Sequence, residues 1–181
     1  TRCSRDWSSD VCSSDLTRDR LKKLNKPFVV LLGNHDCLGT GTKAYQVTFG
    51  NPDFAFIAGR VKFVCLNTNA IEYDYSQPVP NFDFIKAEWT NRADEFDRSV
   101  VCMHAPPFTE QFNNNVAEPF NDYIHKLPQL MFCLDGHGHH IRIQDLYDDG
   151  TIFYMTASAK ERKYYIFTIT PDDYSYEIID F

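Results

Sequence analysis

No apolar run in the sequence approaches the roughly 20 residues that a helix needs to cross a bilayer. Residues 1–16 also lack the basic start, apolar middle and small-residue end of a signal peptide. Basic clusters are equally scarce. The longest is Arg20-Leu21-Lys22-Lys23, in a chain whose net charge is −7. That scarcity argues against a nucleic-acid backbone or an anionic membrane as the main partner. A small anionic substrate stays open, because a bound metal can supply positive charge locally. The 6 cysteines contain no Cys-x-x-Cys pair and no disulfide rhythm. Cys65, Cys102 and Cys133 sit inside apolar runs, where a buried free thiol is expected. Glycine and proline are too few to make disorder the default, and no solenoid-like repeat appears.

Core-forming material is plentiful. The 181 residues are 43% hydrophobic and 15% aromatic, enough for one packed domain. The opening stretch, Asp6 to Leu16, stands apart and carries Ser-Ser-Asp twice. Back-translated, it resembles a common high-throughput sequencing adapter. Residues 1–16 are therefore expected to be foreign to the fold, with a natural Ser/Asp-rich linker as the alternative. Residues 17–181 then form the domain.

Residues 18–25 read as the last turns of a helix that ends before Pro27. The apolar run 28–32 reads as a strand leading into Gly33-Asn34-His35-Asp36. A short helix is expected near 42–49, and residues 54–67 read as a hairpin turning at Ala58-Gly59-Arg60. Residues 68–81 form a loop, whose Tyr73 and Tyr75 either stack on a substrate or pack the loop down. Phe82, Ile85, Trp89, Ala93 and Phe96 fall on one face of an amphipathic helix, with Asn81 as its N-cap. A strand ends before His104, a helix spans about 118–126, and a strand covers 129–135. The tail from Ile141 alternates like antiparallel strands with one face in solvent.

Three apolar runs end directly in metal-capable side chains: Asn34, His35 and Asp36; then His104; then His137, His139 and His140. Runs apolar at every position suit strands buried on both faces of an α/β sheet. Ligands of such sheets gather beyond the strands' carboxyl ends. Only His125, of the 6 histidines, lies elsewhere, and it is expected on the surface. One such His would be an ordinary hydrogen-bonded imidazole. Three converging ends make a site. His140 reads equally as a partner of a ligand or as solvent-facing. The loop after His104, with Phe108, Phe112 and Asn113-Asn114-Asn115, lies near the site's mouth or is simply solvated. Glu110 and Asp135 are acidic and close to the motifs, and the sequence assigns neither a role.

In this order, Gly33-Asn34-His35-Asp36, the isolated His104 and Gly136-His137-Gly138-His139 resemble the calcineurin-like metallophosphoesterase superfamily. The motifs cover residues 17 to about 143, and the strand-rich tail agrees with the family's second sheet. The resemblance implies a four-layer α-β-β-α sandwich of two mixed sheets. It implies a metal-dependent hydrolase of phosphate mono- or diesters working with two divalent ions, which could be Zn, Mn or Fe. Asn34, His104 and His137 would be ligands of one ion and His139 a ligand of its neighbour. His35 would be the general acid or stabilise charge on the leaving oxygen, and Asp36 would hydrogen-bond His35 and keep its imidazole oriented and protonatable. The implied partner is a small phosphate ester, with a monomeric chain. Some bacterial relatives with similar motifs are exported, which points to the cell envelope.

The family's Asp-x-His strand end and Gly-Asp-x-x-Asp turn are not found ahead of residue 33. Asp6, Asp10 and Asp15 follow no apolar strand and do not replace them. The expectation is a domain lacking its first strands and the carboxylate that bridges the ions, binding metal weakly and turning over little substrate. Its run 28–32 would then present an edge prone to association. A catalytically dead relative acting as a binding or scaffold module is the alternative. A single structural zinc held by His104, His137 and His139 is a third reading.

Overall fold

The computed structural model describes residues 16–72 and 78–181. Residues 1–15 and the loop tyrosines Tyr73 and Tyr75 lie outside the described residues. The fold is mixed α/β, built on two sheets. Six strands form the larger one: β1 (Phe54–Ala58), β2 (Val61–Leu66), β3 (Arg98–Met103), β4 (Leu130–Asp135), β5 (Arg142–Asp145) and β6 (Ile152–Met155). Their order is β1-β2-β3-β4-β6-β5. The four middle strands run parallel, and β1 and β5 close the edges antiparallel. Strands β7 (Lys163–Ile169) and β8 (Tyr174–Asp180) pair antiparallel as the second sheet.

The parallel centre explains the uninterrupted apolar runs. On one face Val64, Leu66, Val101, Met103 and Cys133 pack against helices α2 (Phe82–Glu88) and α3 (Ala117–Ile124), through Ile85, Phe120 and Ile124. On the other face Cys65, Val100, Cys102, Phe132 and Tyr154 meet Tyr165, Phe167, Ile169 and Tyr174 of the second sheet. The result is a sheet-on-sheet sandwich with helices outside the larger sheet. Tyr164 and Ile166, on the outer face of the smaller sheet, stay partly exposed, as do Tyr176 and Ile178, which lie opposite Phe167 and Tyr165 on its inner face. Cys65, Cys102 and Cys133 are buried free thiols, as their apolar settings indicate. No helix among the described residues is long and apolar enough to cross a membrane.

Several local expectations hold. The β1–β2 hairpin turns at Gly59 and Arg60, both at positive φ, which is the backbone hand that suits a two-residue hairpin loop. Asn81 caps α2, its Oδ1 accepting from Phe84 N at 3.1 Å. Helix α1 (Gly41–Phe49) stands close to where the sequence puts it.

Others are corrected. The amphipathic helix stops at Glu88 instead of reaching Phe96. Lys62 of β2, buried beneath it, donates Nζ–H bonds to Glu88 O at 2.9 Å and Asn91 O at 2.5 Å. Arg92 adopts a left-handed φ of 57°, so the chain turns away while Phe96 remains buried. Strand β6 is not solvent-sided: it pairs parallel with β4, and three of its four residues are buried. The run 28–32 pairs with no strand among the described residues. Side chains take up its backbone carbonyls instead, Tyr45 Oη donating to Val30 O at 2.6 Å and Asn69 Nδ2 to Leu32 O at 2.8 Å.

Candidate metal centre

Parallel pairing brings the carboxyl ends of β3 and β4 to one edge of the sheet, where Gly136 N donates to His104 O at 3.0 Å. His104 leaves β3 at this edge, and the turn 136–140 leaves β4 beside it. Leu32 is buried with Cys37 and Tyr45, and Gly33 then opens the single 3₁₀ turn Asn34–Cys37. Asp36 holds that turn closed, its Oδ2 accepting from Gly33 N at 2.9 Å. Gly41 is required just beyond, because a Cβ there would stand 2.1 Å from Asp36 O.

These pieces meet at His104. Its Nε2 donates to Asn34 Oδ1 at 3.0 Å. Glycine backbones wall the ring on two sides: a Cβ at Gly33 or Gly136 would lie 3.5 Å from ring atoms. The His137 ring stands edge-on to it, with centroids 5.5 Å apart. Burial, reinforced by the nearby His137, pushes the His104 pKa down to about 4, with Asp36 opposing and His139 and His35 adding to the effect. Asn34 and His137 thus meet His104 at this edge, with His35, Asp36 and His139 near enough to act on its charge, although the run leading to Asn34 is not a strand. At neutral pH His104 is the uncharged imidazole that ligates metals.

His137 and His139 both occupy left-handed backbone, at φ 66° and 64°. Non-glycine residues held there cost of order 1–3 kcal/mol each, and such strain concentrates at functional sites. His35 and His139 are exposed, whereas Asn34 is buried. His140 Nδ1 donates to Gly138 O at 2.5 Å and closes its own turn. His125 is exposed, as expected, and its ring ties α3 to the start of β6, with Nδ1 2.9 Å from Asn121 O and Nε2 2.8 Å from Thr151 Oγ1. Phe112 is core, 3% exposed and packed on Phe120, so it is no part of the site's mouth.

Sequence reasoning gave no role to Glu110, yet its Oε1 accepts from His137 Nε2 at 2.7 Å. This bond holds the Glu110 carboxyl below its ordinary range. No spacing rule would have found it, because the contact depends on how the 104–116 loop folds back. Asp135 is also unforeseen. Burial raises its pKa to about 7, and its Oδ1 has no hydrogen-bond partner among the described residues. It lines a cavity of about 410 Å³ between the sheets, together with Leu31, His104, Tyr154, Tyr165 and Phe167.

The donor chemistry fits a divalent ion in part. Metal–nitrogen and metal–oxygen bonds of about 2.1 Å place neighbouring ligands at right angles roughly 3 Å apart. The Asn34 Oδ1–His104 Nε2 separation of 3.0 Å is compatible with that once an ion replaces the Nε2 proton that bridges the two atoms in the metal-free chain. No three His, Cys, Asp or Glu side chains among the described residues converge into a metal-holding group, so His104, His137 and His139 do not form a ready trio.

A family model described as calcineurin-like phosphoesterase matches residues 6–166, most of the chain. No curated protein matches at a significant level of similarity.

Proposed function

The chain belongs to the calcineurin-like phosphoesterase family, metal-dependent hydrolases of phosphoester bonds, and from that premise we propose a two-metal hydrolase of phosphate mono- or diesters. The observation that carries the proposal is the Asn34–His104 donor pair, 3.0 Å apart, with His137 alongside at the shared ends of β3 and β4. Asn34, His104 and His137 would hold one ion and His139 the other. When bound, the ions would polarise phosphoryl oxygens and supply a hydroxide near neutral pH.

The protein's own residues do the rest. Amide and imidazole donors add no negative charge, so a phosphate ester meets a net positive site. His104 is kept neutral by its burial and so stays ready to ligate. Exposed His35 would deliver a proton to the leaving oxygen, from a turn that Asp36 locks through Gly33 N. Among the described residues the Asp36 carboxylate bonds Gly33 N and not the His35 ring, so Asp36 would act on His35 by fixing the turn that carries it.

The described residues offer donor pairs and no carboxylate-containing trio. We therefore propose that this chain binds metal weakly and turns over little substrate. An exported or cell-envelope setting belongs to the same proposal and rests on the motif resemblance alone; cell fractionation tests it. A binding module without catalysis is the competing reading, favoured by the incomplete donor set. His35→Gln separates the two in Mn²⁺-supplemented assays with an aryl phosphodiester. A hydrolase loses at least about 100-fold in rate, by the usual worth of a general acid. A rate unchanged by the substitution contradicts the proposed role.

A further inference from the structure

The carboxylate of Glu110 is 73% exposed, yet its place is fixed by the loop that carries it. Ala105 N donates to Thr68 Oγ1 at 3.1 Å, where the loop leaves β3. Asn114 closes the loop on itself, its Oδ1 accepting from Phe108 N and its Nδ2 donating to Thr109 O, both at 2.8 Å. On the other side Ala70 N donates to Gln111 O at 2.8 Å, and Phe112 is buried in the core. Both neighbours of Glu110 are thus anchored through their backbone carbonyls. The carboxylate is delivered to His137 Nε2 by a pinned backbone, unlike an ordinary surface ion pair between two free side chains.

A carboxylate oxygen only accepts, so this 2.7 Å bond places a proton on His137 Nε2. The lone pair is then left on Nδ1. Metal-ligating histidines commonly give their other N–H to a carboxylate, which fixes both tautomer and ring direction. His137 needs that help, because its left-handed backbone at φ 66° leaves its side chain on a strained turn. We propose that Glu110 is the positioning residue for His137, selecting the tautomer that offers Nδ1 to a metal ion. The inference rests on the metal-binding reading of the site and adds to it a residue that no motif marks.

The test uses the full chain with Mn²⁺ or Zn²⁺ alone, titrated calorimetrically, for wild type, Glu110→Ala and Glu110→Gln. Long-range ¹⁵N–¹H spectra of the imidazoles are recorded on the same metal-free samples. Glu110→Ala should weaken metal binding about 10–100-fold and mix the His137 tautomers. Glu110→Gln keeps an oxygen that accepts from Nε2–H, so it should stay within a few-fold of wild type with one dominant tautomer. Equal affinity of wild type and Glu110→Ala overturns the proposal, as does a single Nε2–H tautomer surviving in Glu110→Ala. Equal losses in both variants also overturn it, since they would make Glu110 a ligand itself. A wild type that binds no metal, yet shows the tautomer change in Glu110→Ala, overturns the metal-centre reading and leaves the Glu110–His137 pairing standing.

Discussion

At the scale of single residues, burial sets which polar groups are held for structure and which for chemistry. Asp53, ahead of β1, accepts from Asn67 N at 2.8 Å, yet burial raises its pKa from 3.8 to about 6. A carboxyl whose folded pKa lies above its unfolded value favours the folded state while it is protonated. Its stabilising effect is complete below pH 4 and is lost as pH rises to 6. Asp53→Asn removes that loss, so its stability relative to wild type should rise between pH 4 and pH 7, by up to about 3 kcal/mol. Denaturant unfolding at both pH values measures it, and a constant difference would refute the assignment. His104 shows how much of the site the sequence carried. Its position after an apolar strand was readable, since strand ends gather ligands. Its partners were only half readable. Asn34 came with the motif, whereas Glu110 reaches His137 through loop hydrogen bonds that no periodicity encodes.

At the scale of elements, the clearest departure from helical periodicity is α2, and a buried ion pair explains it. Lys62 Nζ lies 2.7 Å from Glu88 Oε2, with side chains 1% and 7% exposed, and 4.4 Å from the Phe96 ring centroid. Apolar spacing marked Phe82, Ile85, Trp89, Ala93 and Phe96 as one buried face, and all but the exposed Ala93 sit in or against the core. The spacing could not reveal that a lysine on β2 would claim the carbonyls needed to continue the helix. Removing one partner of such a pair leaves a buried unpaired charge, so Glu88→Gln should destabilise by about 3–5 kcal/mol. The double replacement Lys62→Met with Glu88→Leu should recover most of that loss. Chemical denaturation midpoints of the three proteins decide it. If Glu88→Gln costs no more than a surface substitution, the pair does not organise this end of α2.

At the scale of the whole molecule, Phe132 on β4 joins the two sheets. It is 1% exposed, stacks on Phe167 with centroids 4.8 Å apart, and meets Tyr174 at 4.4 Å. Phe132→Ala should cost about 3–5 kcal/mol through lost burial and the cavity left behind. It should also loosen β7–β8 selectively, read as faster amide exchange there than in β2 and β3. Uniform exchange changes would argue against a separable second sheet. Strands buried on both faces were legible from composition alone, because every position in β2–β4 must satisfy one core or the other. The fate of the run 28–32 was not legible. Its apolar residues are right for a strand, but strand formation needs a paired neighbour, and among the described residues it has side-chain donors instead. The cavity between Leu31 and Tyr165 lies directly beside His104.

The central claim is that the His104 edge is a metal centre, and titration of Mn²⁺ into the full chain followed by electron paramagnetic resonance tests it most directly. The account predicts weak but saturable binding that is lost in His104→Ala and in Asn34→Ala, both with retained secondary structure. Two tight sites in the wild type would contradict the incomplete donor set. Binding that persists unchanged without His104 would contradict the centre itself.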